Sequence, residues 1–194
     1  MIDYIKGSIA ELTPTEVVIE CGNIGYVALI SLQTYSLLDR KSEAKVYMHH
    51  ILREDEELYY GFASKTEREL FRLLISVSGV GASTARMMLS SLTCDEIRSA
   101  IISDDVNKIK SVKGIGLKSA QRVIIELKDK VSKSSGADTG AIFAQSSAVA
   151  DEASTALIML GFTKQAVSKA VAAILKKDPS TPLESIIKQA LQML

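Results

Sequence analysis

The feature that most limits what this chain can become is an internal repeat. Val77-Ser78-Gly79-Val80-Gly81-Ala82-Ser83-Thr84-Ala85 returns 35 positions later as Val112-Lys113-Gly114-Ile115-Gly116-Leu117-Lys118-Ser119-Ala120. The first copy follows a helical stripe, Leu70, Phe71, Leu74 and Val77 within 67–77, and further helices are expected over 84–92, 95–103, 106–112 and 119–131. Each copy therefore reads as helix, Gly-apolar-Gly corner, helix. Glycine admits positive φ and close backbone approach, and the unpaired N–H groups of the second helix's first turn point at whatever occupies the corner. Such a corner suits an anion.

Other glycine motifs fit less well. A dinucleotide fingerprint needs a preceding strand and a third glycine, where this chain has Thr84 and Ser119. Gly116-Leu117-Lys118-Ser119 resembles a phosphate-binding P-loop only superficially, because Leu117 separates Gly from Lys and the upstream glycine is missing. A bland alternative is a pair of tight turns in a helical bundle. Duplication, with Arg86, Lys113, Lys118 and Arg122 close by, favours phosphate contact.

Charge sharpens that reading. The 194 residues carry 23 basic and 23 acidic side chains, yet 1–63 hold 5 basic and 10 acidic, 64–133 hold 13 and 8, and 134–194 hold 5 and 5. The repeat thus lies in the one basic block, the part suited to a polyanion. All six tyrosines fall in the first sixty residues, and Phe71 is the only aromatic of the basic block, which therefore lacks rings on which to stack splayed bases. No apolar run approaches the roughly 18 residues of a membrane span, and the opening Met1-Ile2-Asp3-Tyr4-Ile5-Lys6 has no secretory pattern; a cytoplasmic protein is expected. Cys21 and Cys94 stand far apart and the only histidines, His49 and His50, are adjacent, so neither a zinc site nor any cofactor is expected.

The fold class expected is multidomain α+β. Short runs rich in Val, Ile, Leu and Tyr at 2–9, 17–20, 26–32, 45–52 and 58–62 predict a five-stranded, partly open barrel of the oligonucleotide-binding type over 1–63. A tandem helical hairpin domain follows over 64–133. Small polar residues make 134–150 a flexible linker, and 151–194 form three short helices. In this tail Gly161 is a C-cap, Thr163 an N-cap, and Thr181-Pro182-Leu183-Glu184 a capping box.

Between the last two strands lies Arg53-Glu54-Asp55-Glu56-Glu57, four consecutive carboxylates. One reading is a solvated hairpin tip. In a phosphate-binding protein the same cluster repels backbone strands, by about 1 to 4 kcal/mol per close charge pair. Metal-dependent nuclease chemistry fits less well, since alternate residues of a strand point in opposite directions and no other acidic motif joins them.

The Gly-apolar-Gly hairpins resemble the helix-hairpin-helix motif of DNA-binding proteins, which grips the sugar-phosphate backbone across the minor groove without reading sequence. Taken with Met1 to Gly7, Gly22 to Tyr26, Arg53-Glu54-Asp55, Leu58 to Phe62 and Leu160-Gly161-Phe162, nearly the whole chain resembles the RuvA family. That resemblance implies a non-catalytic subunit that binds four-way (Holliday) DNA junctions and promotes branch migration in recombination and repair. It implies a homotetramer, or an octamer on DNA, working with the hexameric RuvB ATPase and with RuvC resolvase as a further partner. On it, Gly79, Gly81, Gly114 and Gly116 contact phosphate, helped by Ser83, Arg86, Lys113, Lys118 and Arg122, while Glu54 and Asp55 form an acidic pin. Leu157, Leu160, Phe162 and Leu191 would meet RuvB; the other reading for these apolar positions is bundle core, which fits Leu157 equally well. Two departures stand out: Ala82-Ser83 where Pro-Lys is frequent, and Leu117 where Lys is frequent. Rival readings are a structure-selective nuclease using the acidic turn, and a single-strand binder using the barrel and its tyrosines.

Overall fold

A computed structural model describes residues 2–134, 144–178 and 181–194. The chain divides into two compact units, 1–135 and 136–194.

The first unit opens with β1 (Tyr4–Leu12), β2 (Glu16–Cys21) and β3 (Ile24–Ile30), then α1 (Leu32–Leu38), β4 (Glu43–Leu52) and β5 (Glu57–Phe62). Alternation along these strands sends Ile5, Val17, Ile19, Ala28, Ile30, Val46 and Met48 inward, joined by Leu38 of α1. Rather than staying partly open, the barrel closes in the order β1-β2-β3-β5-β4. Closure is made by a short parallel pairing of β3 with β5, Leu29 opposite Tyr60 and Ile30 opposite Gly61. Gly61 is needed there: a Cβ would lie 2.8 Å from a Val46 methyl inside the barrel.

Helices α2 (Lys65–Ile75), α3 (Ala82–Ser91), α4 (Cys94–Ile102), α5 (Val106–Lys110) and α6 (Leu117–Ser134) follow. They share one compact unit with the barrel. Tyr60 and Phe62 of β5 belong to the helical core, their rings 5.1 and 4.9 Å from that of Phe71 on α2. At residue 63 the secondary structure changes while the packing runs on, through Tyr60 and Phe62, into the helices.

A polar latch reinforces the join. Glu67 of α2 is buried and accepts hydrogen bonds from the Ser31 hydroxyl and, at 2.6 Å, from the Thr34 hydroxyl of α1. Thr34 Oγ1 in turn accepts from the Ala63 amide at 3.0 Å. Arg68, next along, donates to the Asp3 carboxylate at 2.6 Å and to the Asp3 carbonyl at 2.7 Å. Burial pushes the Glu67 carboxyl above its ordinary range, and the hydroxyl hydrogen bonds pull it only part of the way back. With the folded pKa above the unfolded one, its contribution is full below the unfolded pKa and is lost as pH rises through the folded value. Glu67→Gln, permanently neutral, is accordingly expected to raise the melting temperature relative to the parent at neutral pH more than at about pH 4; melts at the two pH values check it.

The second unit is a bundle of three helices. It comprises α7 (Ala144–Met159), α8 (Lys164–Lys177) and α9 (Leu183–Leu191) around Ala153, Leu157, Val167, Val171, Ile174 and Ile186. Residues 144–150, expected in the linker from their small polar composition, begin α7; alanine and serine are compatible with helix. Residues 135–143 of that expected linker lie outside the described residues. Gly161 ends α7 as expected, at φ +100°, with the Phe162 amide donating to the Leu157 carbonyl. The capping box at 181–184 does not form. Pro182 is the N-cap of α9, and the Thr181 hydroxyl donates backwards to the Asp178 carbonyl at 2.8 Å. Thr163 is the N-cap of α8, without a side-chain hydrogen bond. Among the described residues no helix is long and apolar enough to cross a membrane.

Candidate nucleic-acid interface

The two repeats fold alike, bond for bond. In the first, the Val80 amide donates to the Val77 carbonyl at 3.0 Å and the Ala85 amide to Gly81 at 2.9 Å; in the second, Ile115 donates to Val112 at 3.1 Å and Ala120 to Gly116 at 2.9 Å. Val77, Val80, Val112 and Ile115 are all buried. The apolar residue of each Gly-apolar-Gly unit is thus a peg in the core, and the glycines on either side of it face out. Gly79 and Gly114 sit at φ +88° and +91°, a region that favours glycine.

Among the described residues these corners stand open. A Cβ built on Gly81, Gly114 or Gly116 would meet no atom within 4 Å, and one on Gly79 only the tip of Arg122 at 3.9 Å. Gly81 caps α3 with no side-chain hydrogen bond to its first turn, so those N–H groups are offered outward. A phosphoryl oxygen has room at both corners.

The basic neighbours separate into two kinds. Lys113 and Lys118 are exposed, and among the described residues neither has an ion pair. Arg86 is half-buried and donates to the Thr15 carbonyl of the barrel at 3.1 Å. Arg122 reaches from α6 to the first corner, donating to the Ser78 carbonyl at 3.0 Å, with its Nε 4.0 Å from Glu126. Each arginine thus holds a carbonyl of its own chain while other N–H donors of its guanidinium remain, a tie that spacing along the sequence could not reveal. Ser83 is exposed beside the first corner, which has no lysine of its own. Two other lysines of the basic block are paired internally: Lys108 with Glu96 at 2.9 Å and Lys128 with Asp104. The Thr93 backbone amide, with Lys108, holds the Glu96 carboxyl down at about 2. Lys118→Ala is expected to lower affinity for duplex arms and to reduce the slope of log K against log salt by about one, measured by titration across a salt series.

The four carboxylates of the acidic turn also separate. Arg53 closes the turn, its amide donating to the Glu56 carbonyl at 2.8 Å and its guanidinium 3.4 Å from the Glu56 carboxylate. Glu57 lies on β5, 3.0 Å from His50 Nε2, and accepts from the Tyr59 hydroxyl at 2.8 Å; that bond and burial raise the Tyr59 pKa. Glu56 and Glu57 are anchors of the hairpin. Glu54 and Asp55 at its tip are exposed and, among the described residues, have no side-chain partner. The described residues bring no three His, Cys, Asp or Glu side chains together as a metal-binding group.

In the second unit, Leu157 is wholly buried. Of its two readings, partner contact and bundle core, this burial favours core, since Leu157 is a central residue of the three-helix cluster. Leu160 is 62% exposed and Leu191 43%, while Phe162 packs half-buried against the core. Met159, 83% exposed, adds apolar surface that the sequence pattern gave no reason to single out.

Three family models match in order along the chain: the RuvA N terminal domain over residues 1–61, a SAM-like helix-hairpin-helix tandem over 71–129, and the RuvA C-terminal domain over 148–194. The chain belongs to the RuvA family. Relatives include proteins named Holliday junction branch migration complex subunit RuvA from Christiangramia forsetii, 54% identical over 194 residues, and Bacteroides fragilis, 51% identical over 201 residues, with all of both chains covered in each case. A third, of the same name, comes from Bacteroides thetaiotaomicron at 48% identity, again over the full length of both chains. The family's helix-hairpin-helix tandem coincides with the duplicated corners, and its N-terminal domain with the barrel that carries the acidic turn.

Proposed function

We propose that this chain binds four-way DNA junctions by their shape and acts in branch migration during homologous recombination and DNA repair, as a non-catalytic subunit whose motor is a separate ATPase of the RuvB kind. The observation that carries this reading is the pair of matched, uncovered glycine corners in a chain that is related over its whole length to junction branch migration subunits. Main-chain amides at Gly79–Ser83 and Gly114–Lys118 take phosphates of a duplex arm, and Lys113 and Lys118 add charge at the second corner. Such contacts carry no base information, so selectivity comes from the geometry of several arms held at once. A homotetramer, one chain per arm, is the assembly this requires, with an octamer as its doubled form. RuvC resolvase would act on the same held junction. The protein works in the cytoplasm, where its DNA is.

Glu54 and Asp55 work by repulsion in this reading. Held at the tip of a hairpin by Arg53, Glu56 and Glu57, they set uncompensated negative charge against phosphates where strands exchange partners. Glu54→Gln with Asp55→Asn is expected to leave junction affinity unchanged or raised, while reducing unpairing at the crossover as read by 2-aminopurine fluorescence. Loss of binding would contradict repulsion.

The deciding experiment compares a labelled junction with a linear duplex of equal length, with magnesium and no other protein. Junction affinity should exceed duplex affinity by at least about tenfold, as several arms are gripped together, and the DNA should stay intact. Cleavage would replace this reading by the nuclease one.

A further inference from the structure

Junction binding leaves the barrel's tyrosines without a part. Most of them are structural: Tyr60 lies in the core, and Tyr26, Tyr35 and Tyr59 pack against the barrel interior. Tyr47 on β4 is half-buried against the helical core, and Tyr4 on β1 beside it is the exposed one. They are direct cross-strand partners, their rings edge-on with centroids 6.5 Å apart, and Tyr4 is 49% exposed. Two positions away on the same ladder Lys6 stands opposite Lys45. Since Ile5 and Val46 between them point inward, all four side chains share the outer face. The Lys45 ammonium lies 3.7 Å from the Tyr4 ring centroid and 5.2 Å from that of Tyr47, and Lys65 of α2 brings another to 5.9 Å from Tyr47.

Lysines outnumber acids on this face, where the next outward pair of the ladder, Ser8 opposite Glu43, brings one carboxylate. Among the described residues Lys6, Lys45 and Lys65 have no ion pair, and Asp3, beside them in the chain, is held by Arg68 at 2.6 Å. Like charges directly opposite on neighbouring strands destabilise a sheet, so the Lys6–Lys45 pair works against the fold that contains it. It also stands out from its surroundings, since residues 1–63 have twice as many acidic as basic side chains. A ligand that repays this arrangement has negative charge at intervals and flat, exposed π faces between. A duplex rail offers the charge and hides the base faces; an acidic peptide offers charge alone. We propose that the β1–β4 face is a stacking platform for single-stranded DNA, bases against Tyr4 and Tyr47, phosphates on Lys6, Lys45 and Lys65. It is a second nucleic-acid site, built on different residues and different physics from the glycine corners.

The test uses the full chain and a fluorescein-labelled oligothymidylate of about twenty nucleotides, longer than one barrel's site, followed by anisotropy. An abasic oligomer of the same length is the charge-only probe. Tyr4→Ala with Lys45→Ala should weaken oligothymidylate binding about tenfold or more and leave junction affinity as it was, whereas Lys118→Ala should do the reverse. Tyr4→Phe alone should retain binding, because a phenyl ring still stacks, and it keeps the question open to test if the double variant fails to fold. No saturable binding, equal affinity for the abasic oligomer, equal displacement by polyglutamate, a loss that follows Lys118→Ala, or a loss with Tyr4→Phe would each overturn the proposal.

Discussion

Gly79→Ala combined with Gly114→Ala is expected to lower junction affinity by about a hundredfold or more while leaving the chain folded. Both residues sit near φ +90°, where a side chain costs roughly 1 to 2 kcal/mol. Neither site is crowded: a Cβ would touch nothing at Gly114 and only the end of Arg122 at Gly79. The cost is therefore conformational, about 2 to 4 kcal/mol for the pair, against a typical stability of about 5 to 15 kcal/mol. The turn relieves such strain by rotating the peptide, which swings the amides away from the phosphate. Losing a charge-assisted hydrogen bond at each corner, about 1.5 to 3 kcal/mol apiece, gives the expected drop. Gly81→Ala with Gly116→Ala separates approach from strain. Gly81 has the ordinary φ of −82°, Gly116 is not among the positive-φ glycines, and a methyl at either has open space in the free chain. That pair should bind more weakly with an unchanged melting temperature. Titration of a labelled junction and thermal melts of both variants check the pattern; affinity within about threefold of the parent for both pairs would remove the corners from the interface.

What the sequence made legible was local. The corners could be read because each packs a helix stripe, two glycines and an apolar peg into a few adjacent positions, and the repetition excluded accident. Their openness to solvent followed from the same pattern, since Val80 and Ile115 have to go inward. What stayed hidden depends on residues far apart in the chain. Closure of the barrel rests on β3 meeting β5 across thirty-odd residues that include α1 and β4. Helix α1 gave no periodic signal because the residues it buries are Thr34 and Leu38, one of them polar. Thr34 is buried for the sake of Glu67, and Glu67 looked like one more surface acid of an amphipathic helix. Arg86 and Arg122 are the same case in reverse: their charge was visible and their carbonyl partners, Thr15 and Ser78, were not. Four carboxylates in a row read as one cluster, yet a strand end and a turn give them different neighbours, which leaves two as anchors and two as a free tip.

In the second unit the pair Leu157 and Leu160 shows how apolar side chains three positions apart take opposite roles. Leu157→Ala is expected to unfold this unit. The side chain is wholly buried between the helices, truncation of such a leucine costs about 2 to 5 kcal/mol, and a domain of this size has little stability to lose. Hydrogen exchange should lose protection throughout α7, α8 and α9 and keep it in the barrel and α2–α6, with junction affinity unchanged because the corners belong to the first unit. Leu160→Ala, at 62% exposure, should shift stability by no more than about 0.5 kcal/mol and leave exchange as it was. Its effect should fall on the partner: recruitment of a RuvB-type ATPase to a held junction weakens, as an exposed apolar anchor at an interface typically contributes about 1 kcal/mol or more. The two variants thus lose the motor for different reasons, one by losing the domain and the other by losing a contact, and exchange protection distinguishes them. Full recruitment by Leu160→Ala together with Leu191→Ala would move the docking surface away from these helix ends, to the part of the unit where Phe162 and its neighbours lie half-covered.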